Sequence, residues 1–241
     1  MEISEIGSLL ADRARCRVLL ALNDGRALPA SVLADEAGVA RSTASGHLGK
    51  LTEAGLLRVE THGRHRYYRL AGAEVGELLE KLTQMAPTRP VRSLREGNRA
   101  QQLRAARTCY DHLAGRLGVG LMSAMIERGF LAGGDGRFHP GQDGGDRRAG
   151  YGRDVDYALT PVGWDFLGTV GVRIPEGNRS LVRYCVDWSE QCHHLAGLLG
   201  RSLLDHFLAE SWIRRRPSGR SVQVTEAGRA ALAEHFGVAW P

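Results

Sequence analysis

The sequence predicts a mainly α-helical chain with small β-hairpins, an α+β class. Three observations predict it. Apolar residues recur at helical spacing through most of the first 85 positions. Residues 27–70 run as helix, turn, helix and then a hairpin rich in Arg and His, the outline of a winged helix-turn-helix. Matched phrases recur in the second half, the sign of a duplicated unit.

In chain order, residues 5–23 hold one or two helices with Ile6, Leu9, Leu10, Val18, Leu19 and Leu22 as the apolar stripe, and Cys16 reads there as a small buried hydrophobe. A short helix opens after Pro29 and carries Val32, Leu33 and Ala37 on one face. Gly38 then supplies the tight turn. The next helix runs from near Ser42 to Ala54, with Leu48 and Leu51 inward and Gly55 ending it. Its outward residues, Ser42, Thr43, Ser45, Gly46, His47 and Lys50, are small or polar, and such groups suit a major groove. Leu57, Val59, Tyr67 and Leu70 pair across a hairpin with His62-Gly63 at its turn. Arg64, His65 and Arg66 stand on that hairpin, where cations meet phosphates. Ser42, Thr43, Ser45 and His47 are the expected base readers, and Arg41, Lys50, Arg64 and Arg66 the expected phosphate contacts, with His65 beside them.

The phrases ArgSerThrAlaSerGlyHisLeu (41–48), GluAlaGlyLeuLeu (53–57) and GlyArgHisArgTyrTyrArgLeu (63–70) resemble the DNA-binding domain of ArsR-type winged-helix repressors. The resemblance covers roughly residues 1–85. It implies a homodimer on double-stranded DNA, a recognition helix at 41–54, a wing at 58–69, and pairing of the terminal helices of the domain across a dimer axis. Gly46 and Gly49 depart from the larger polar residues usual there. The metal-sensing positions of such repressors are also missing: the stretch ValLeuAlaAspGluAla lacks a thiol, and the helix GluLeuLeuGluLysLeuThrGln lacks His.

The domain reading is 1–86 for the winged helix, with an amphipathic helix at 73–85, then 87–98 as a Pro- and Arg-rich linker, and 99–241 as a duplicated C-terminal domain for dimerisation, effector sensing or both. A helix is expected over 99–117. The repeats, about 105–172 and 181–238, begin at Cys109-Tyr-Asp111-His112 and at Cys185-Val-Asp187 with His194, continue into apolar helices, and close on LeuThrProValGly (159–163) and ValThrGluAlaGly (224–228). Each copy reads as a degenerate winged-helix unit: helix, helix, short strands around a polar hairpin, helix. The insertion at 133–154 is too rich in Gly and Asp for a core.

The repeats place Cys109, His112, Cys185 and His194 at related positions, and thiolate and imidazole are transition-metal donors. On a helix, Cys109 and His112 would share a face. The same phrases also read as packing and capping signatures, with Asp111 or Asp187 at a helix N-terminus. Cys192-His193-His194 alone is a weak metal signal.

A net charge of +5 suits a polyanionic partner, and the cations are nearly all Arg, with Lys only at 50 and 81. No run is apolar enough to span a membrane, the N-terminus does not read as a secretory signal, and the dispersed cysteines read as cytoplasmic thiols. No phosphate-binding Gly loop, GxSxG or HExxH is present, so no enzyme is expected. The expected function is a homodimeric, DNA-binding transcriptional repressor released by a small-molecule or metal effector, with the cofactor unknown. The alternatives are a metal- or thiol-redox sensor using the C-terminal Cys and His, and a protein-interaction module with a vestigial wing.

Overall fold

The computed structural model describes residues 3–62, 65–86, 94–139, 154–217 and 219–241. It divides into two units, Met1–Thr83 with Pro217–Arg220, and Gln84–Arg216 with Ser221–Pro241.

The first unit opens with α1 (Ile3–Leu10) and α2 (Arg13–Ala21). Asp12 caps α2 by accepting the Arg15 N–H at 2.9 Å. Of the expected stripe, Val18, Leu19 and Leu22 are fully buried, whereas α1 buries no residue. Cys16 is half-buried and donates its thiol to the Leu10 carbonyl. Then come β1 (Leu28–Pro29), α3 (Ala30–Ala37), α4 (Arg41–Glu53), β2 (Leu57–His62), β3 (His65–Leu70) and α5 (Ala73–Met85). Gly38, at φ 72°, makes the left-handed turn between α3 and α4. The core is Leu33, Ala34 and Ala37 of α3 against Ala44, Leu48 and Leu51 of α4. Val32 is only partly buried, and Ala34 takes the place expected for it. The three-stranded sheet has the order β1-β3-β2, which is the wing plus one short strand. Leu57 pairs with Leu70 as expected, but Val59 faces Tyr68 and Glu60 faces Tyr67. His62 pairs with His65 at the strand ends, so His62 belongs to the strand where the turn was expected to begin; Gly63 and Arg64 lie outside the described residues.

The second unit begins with α6 (Leu94–Ala105), so the helix starts inside the expected linker; residues 87–93 lie outside the described set. α6 does not continue to 117. The chain turns into a hairpin, β4 (Arg107–Cys109) and β5 (His112–Ala114), then α7 (Gly115–Glu127), β6 (Leu131–Ala132), β7 (Ala158–Leu159) and α8 (Pro161–Val170). The same order follows in β8 (Arg183–Val186), β9 (His193–Ala196), α9 (Gly197–Ala209), β10 (Ile213–Arg215), β11 (Val222–Val224) and α10 (Glu226–Ala231), which runs into a π turn at Leu232–Phe236. Each half therefore opens with a β-hairpin where a helix was expected. The Gly- and Asp-rich insertion lies outside the described residues over 140–153.

The halves match in detail. Thr160 caps α8 by accepting the Gly163 N–H at 3.0 Å and donates to the Gly129 carbonyl at 2.7 Å. Thr225 does the same for α10, accepting from Gly228 at 2.9 Å and donating to Ser211 at 2.8 Å. Helix α7 lies against β9 of the other half, and α9 against β5. Leu117, Leu121, Leu199, Leu203 and Phe207 fill the core between them.

Candidate DNA-binding surface and Cys-His cluster

Helix α4 separates its residues cleanly. Ala44, Leu48 and Leu51 are buried, while Arg41, Ser42, Thr43, Ser45 and Lys50 are exposed and His47 is partly so. Because 3.6 residues make a turn, the positions between the buried ones face outward together. Among the described residues, no hydrogen bond takes up the side chains of Ser42, Thr43 or Ser45, and Ala40 rather than a side chain stands at the N-cap. Small hydroxyls and a cation thus line the opening turn of this helix, with its orphan N–H groups beside them. On the wing, Arg66 is exposed. Arg69 is tied down by Glu60 at 2.8 Å and the Gly25 carbonyl at 3.1 Å, so it braces the hairpin. Arg64 and the side chain of His65 lie outside the described residues.

In the second unit, four separated residues converge. Cys109 faces His112 across the β4–β5 hairpin, and Cys185 faces His194 across β8–β9. Directly paired residues share a face of a sheet, so each hairpin projects one thiol and one imidazole side by side. This corrects the helical expectation for Cys109 and His112. They meet because the two-residue turn at Tyr110-Asp111, with Tyr110 left-handed at φ 56°, folds the strand back. The donor atoms of Cys109, His112, Cys185 and His194 all lie within 4.8 Å of one another.

Two glycines let the hairpins approach. A Cβ on Gly118 would sit 2.4 Å from the Leu113 carbonyl oxygen and 3.5 Å from the His194 Cβ. A Cβ on Gly200 would sit 2.6 Å from the Leu195 carbonyl oxygen and 3.1 Å from the His112 Cβ. The tightest constraint on each glycine is thus the carbonyl of its own half's hairpin, and Gly200 in addition clears the imidazole-bearing His112 of the other half.

A carboxylate stands behind each ring. His112 Nδ1 is 3.3 Å from Asp111 Oδ1, and His194 Nδ1 is 3.4 Å from Asp187 Oδ2. Asp187 is fully buried, pairs with the buried Arg107 at 2.8 Å and accepts the Gly115 N–H of α7 at 2.7 Å, so the capping role expected of it is real but serves the other half's helix. Asp111 pairs with Arg179. Burial alone would raise both carboxyls. The His112 and Arg179 partners instead hold Asp111 down to about 2, and His194 and Arg107 hold Asp187 low. Burial also lowers His112, but the Cys185 thiolate and Asp111 outweigh it and push it up to about 9. The neighbouring Cys185 thiol and burial raise the thiol of Cys109, while Cys109 and the two imidazoles lower that of Cys185.

Cys192 and His193 stay outside this cluster. His193 Nδ1 meets the Tyr157 hydroxyl at 2.8 Å, and its ring lies 4.1 Å from that of Tyr184. Cys192 lines a separate cavity of about 520 Å³ with Ser123, Ile126, Asp135 and Arg137. The sequence reading missed Arg107 and Arg179, whereas Gly118 and Gly200 stand in the repeat phrases that read as packing signatures. The repeat alignment held a signal for the glycines, which follow His112 and His194 at the same spacing of six residues.

A helix-turn-helix followed by a basic wing defines a DNA-binding protein of the winged-helix class. The model of the helix-turn-helix domain family matches residues 10–60. The HTH-type transcriptional regulator YdfF of Bacillus subtilis (strain 168) is 40% identical over 239 residues, covering 98% of this chain and 97% of that protein. The chain belongs to this family of helix-turn-helix transcriptional regulators. The regulator CmtR of Mycobacterium tuberculosis (strain ATCC 25618 / H37Rv) is 39% identical over 83 residues, 34% of this chain and 70% of that protein. Among solved structures, the cadmium metal-sensor CmtR from Mycobacterium tuberculosis is 35% identical, covering 38% of this chain and 98% of that one, with a TM-score of 0.30. A homodimeric winged helix-turn-helix domain from Mycobacterium bovis is 30% identical, covering 34% of this chain and 75% of that one, with a TM-score of 0.31. Among the described residues, no helix is long and apolar enough to cross a membrane.

Proposed function

We propose that this regulator is a homodimeric, cytoplasmic repressor of a pseudo-palindromic operator, and that an effector acting on its C-terminal unit releases it. The carrying observation is the outward face of α4, where Arg41, Ser42, Thr43, Ser45 and Lys50 are presented together with no acidic side chain before Glu53. On this reading Ser42, Thr43, Ser45 and His47 read base edges. Arg41, Lys50 and Arg66 hold phosphates, with Arg64 and His65 further along the wing. Dimerisation is favoured by apolar side chains left uncovered on the terminal helices of the first unit: Ile3 on α1, and Leu78 and Leu82 on α5. A second copy would cover them, and the spacing of the two α4 helices would then set the half-site separation, about one helical turn of DNA.

The test is fluorescence anisotropy on labelled DNA from upstream of the protein's own gene, across a salt series. Each phosphate contact adds about 0.9 to the slope of log affinity against log salt. Arg66→Ala, removing one contact per subunit, should flatten that slope by about 2 and weaken every sequence alike. Ser45→Ala should leave the slope unchanged and reduce discrimination among sequences. A specific complex indifferent to salt contradicts the reading.

A further inference from the structure

The structure assigns a second binding site: a Cys2His2 centre for one tetrahedral, thiophilic divalent ion of the Zn²⁺ class, formed by Cys109, His112, Cys185 and His194. The assignment goes beyond the DNA-binding reading and does not depend on it.

Four features carry it. The donor set is the two-thiolate, two-imidazole set of structural zinc sites. The donor atoms lie within 4.8 Å of one another. Bonds of about 2.0–2.3 Å to a tetrahedral ion hold donors roughly 3.3–3.8 Å apart. Contraction of about 1 Å, within the reach of side-chain rotation, therefore closes the site. Next, the imidazoles are buried, with His112 4% and His194 1% exposed, yet Nε2 of each lacks a hydrogen-bond partner among the described residues. A buried polar atom left without a partner costs about 1–3 kcal/mol, and a metal at the centre of the cluster would satisfy both. Finally, a carboxylate stands beside Nδ1 of each ring. Asp111 hydrogen-bonds His112 at 3.3 Å, which leaves Nε2 of that ring for the ion in the carboxylate–histidine–metal arrangement of metalloproteins. Asp187 lies 3.4 Å from Nδ1 of His194, a charge neighbour without a hydrogen bond, so both nitrogens of that ring are open.

Each half supplies one Cys–His pair at the register position between paired strands, so the ion sits where the two hairpins meet and joins them. All four coordination positions are filled by protein, and the ion binds without an open position for substrate. Asp111, Gly118 and Gly200 are positioning residues, the first orienting the His112 ring and the other two giving the hairpins their clearance.

The experiment uses the full-length reduced chain, stripped with a chelator and titrated with Zn²⁺, and in parallel with Co²⁺ as a spectroscopic probe. The assignment expects one equivalent of Zn²⁺ per chain, tetrahedral Co²⁺ bands with thiolate charge transfer, and a rise in the melting temperature on metal addition. Cys185→Ser and His194→Gln should each lower Zn²⁺ affinity by tenfold or more and alter the Co²⁺ spectrum. Cys16→Ser/Cys192→Ser should bind as the wild type does, and this variant keeps the test decisive if the ligand variants fold poorly. No stoichiometric uptake by the folded wild-type chain overturns the assignment. So does uptake lost in Cys16→Ser/Cys192→Ser, or a Cys109–Cys185 disulfide in the freshly purified protein that excludes metal.

Discussion

Replacing Arg107 by Met should destabilise the C-terminal unit by about 3 kcal/mol. Arg107 is fully buried and its Nη2 lies 2.8 Å from Asp187, itself fully buried. The substitution also removes bonds from Nη1 to the Leu103 carbonyl at 3.1 Å and to Ser189 at 3.3 Å, and the guanidinium contact 4.5 Å above the Trp188 ring. Removing one partner of a buried pair costs about 3–5 kcal/mol, because a charge stays behind without its counterion. The lower end applies here, since Asp187 keeps the N–H groups of Gly115 at 2.7 Å and Ser189 at 2.9 Å. For a unit of this size, 1 kcal/mol moves the melting temperature by about 2–4 °C, so a fall of roughly 6–12 °C is expected. Differential scanning calorimetry of the full chain measures it, with Arg66→Met as the exposed control. Arg107→Met/Asp187→Asn should cost less than the sum of the single changes by about 1–3 kcal/mol. If Arg107→Met shifts stability by no more than about 0.5 kcal/mol, the level of an ordinary surface change, the buried pair is not what holds this region.

Gly200→Ala should cost about 1–3 kcal/mol, because its Cβ would meet the Leu195 carbonyl oxygen at 2.6 Å and the His112 Cβ at 3.1 Å. Gly46→Ala, with nothing within 4 Å of its Cβ, should gain about 0.5–1 kcal/mol in the same thermal assay. Leu82→Glu places a charge on the uncovered face of α5 and should shift the chain toward monomer in analytical ultracentrifugation, with operator affinity falling alongside. Thr225→Ala removes the α10 cap and should lower stability by about 1 kcal/mol.

The winged helix was legible because its signals are local. Gly38 and Gly55 punctuate, Leu48 and Leu51 keep helical period, and the wing strands carry their own Arg and Tyr. The hairpin at 107–114 was not. Arg107, Thr108 and Cys109 are all buried, as are His112, Leu113 and Ala114, so the strands show no inside–outside alternation to separate them from a helix. That burial comes from helices α7 and α9, and a tyrosine in the left-handed turn conformation is not a signal that sequence reasoning can read. The four Cys and His positions were legible through the matched phrases of the repeat. How they pair was not, since Cys opposite His follows from strand register. Arg107 and Asp187, 80 residues apart, left no local trace.

The crossed packing of α7 on β9 and α9 on β5 also governs how the chain is made. When α7 leaves the ribosome, the strand that covers it has yet to be synthesised, roughly 80 residues downstream. At about 5–20 residues per second, the first half waits roughly 4–16 s with its apolar helix face bare. During that interval Cys109 and His112 are present without Cys185 and His194. The nascent chain therefore carries a half-built ligand set and a sticky surface together, which makes this stretch of translation the point at which a chaperone would matter most.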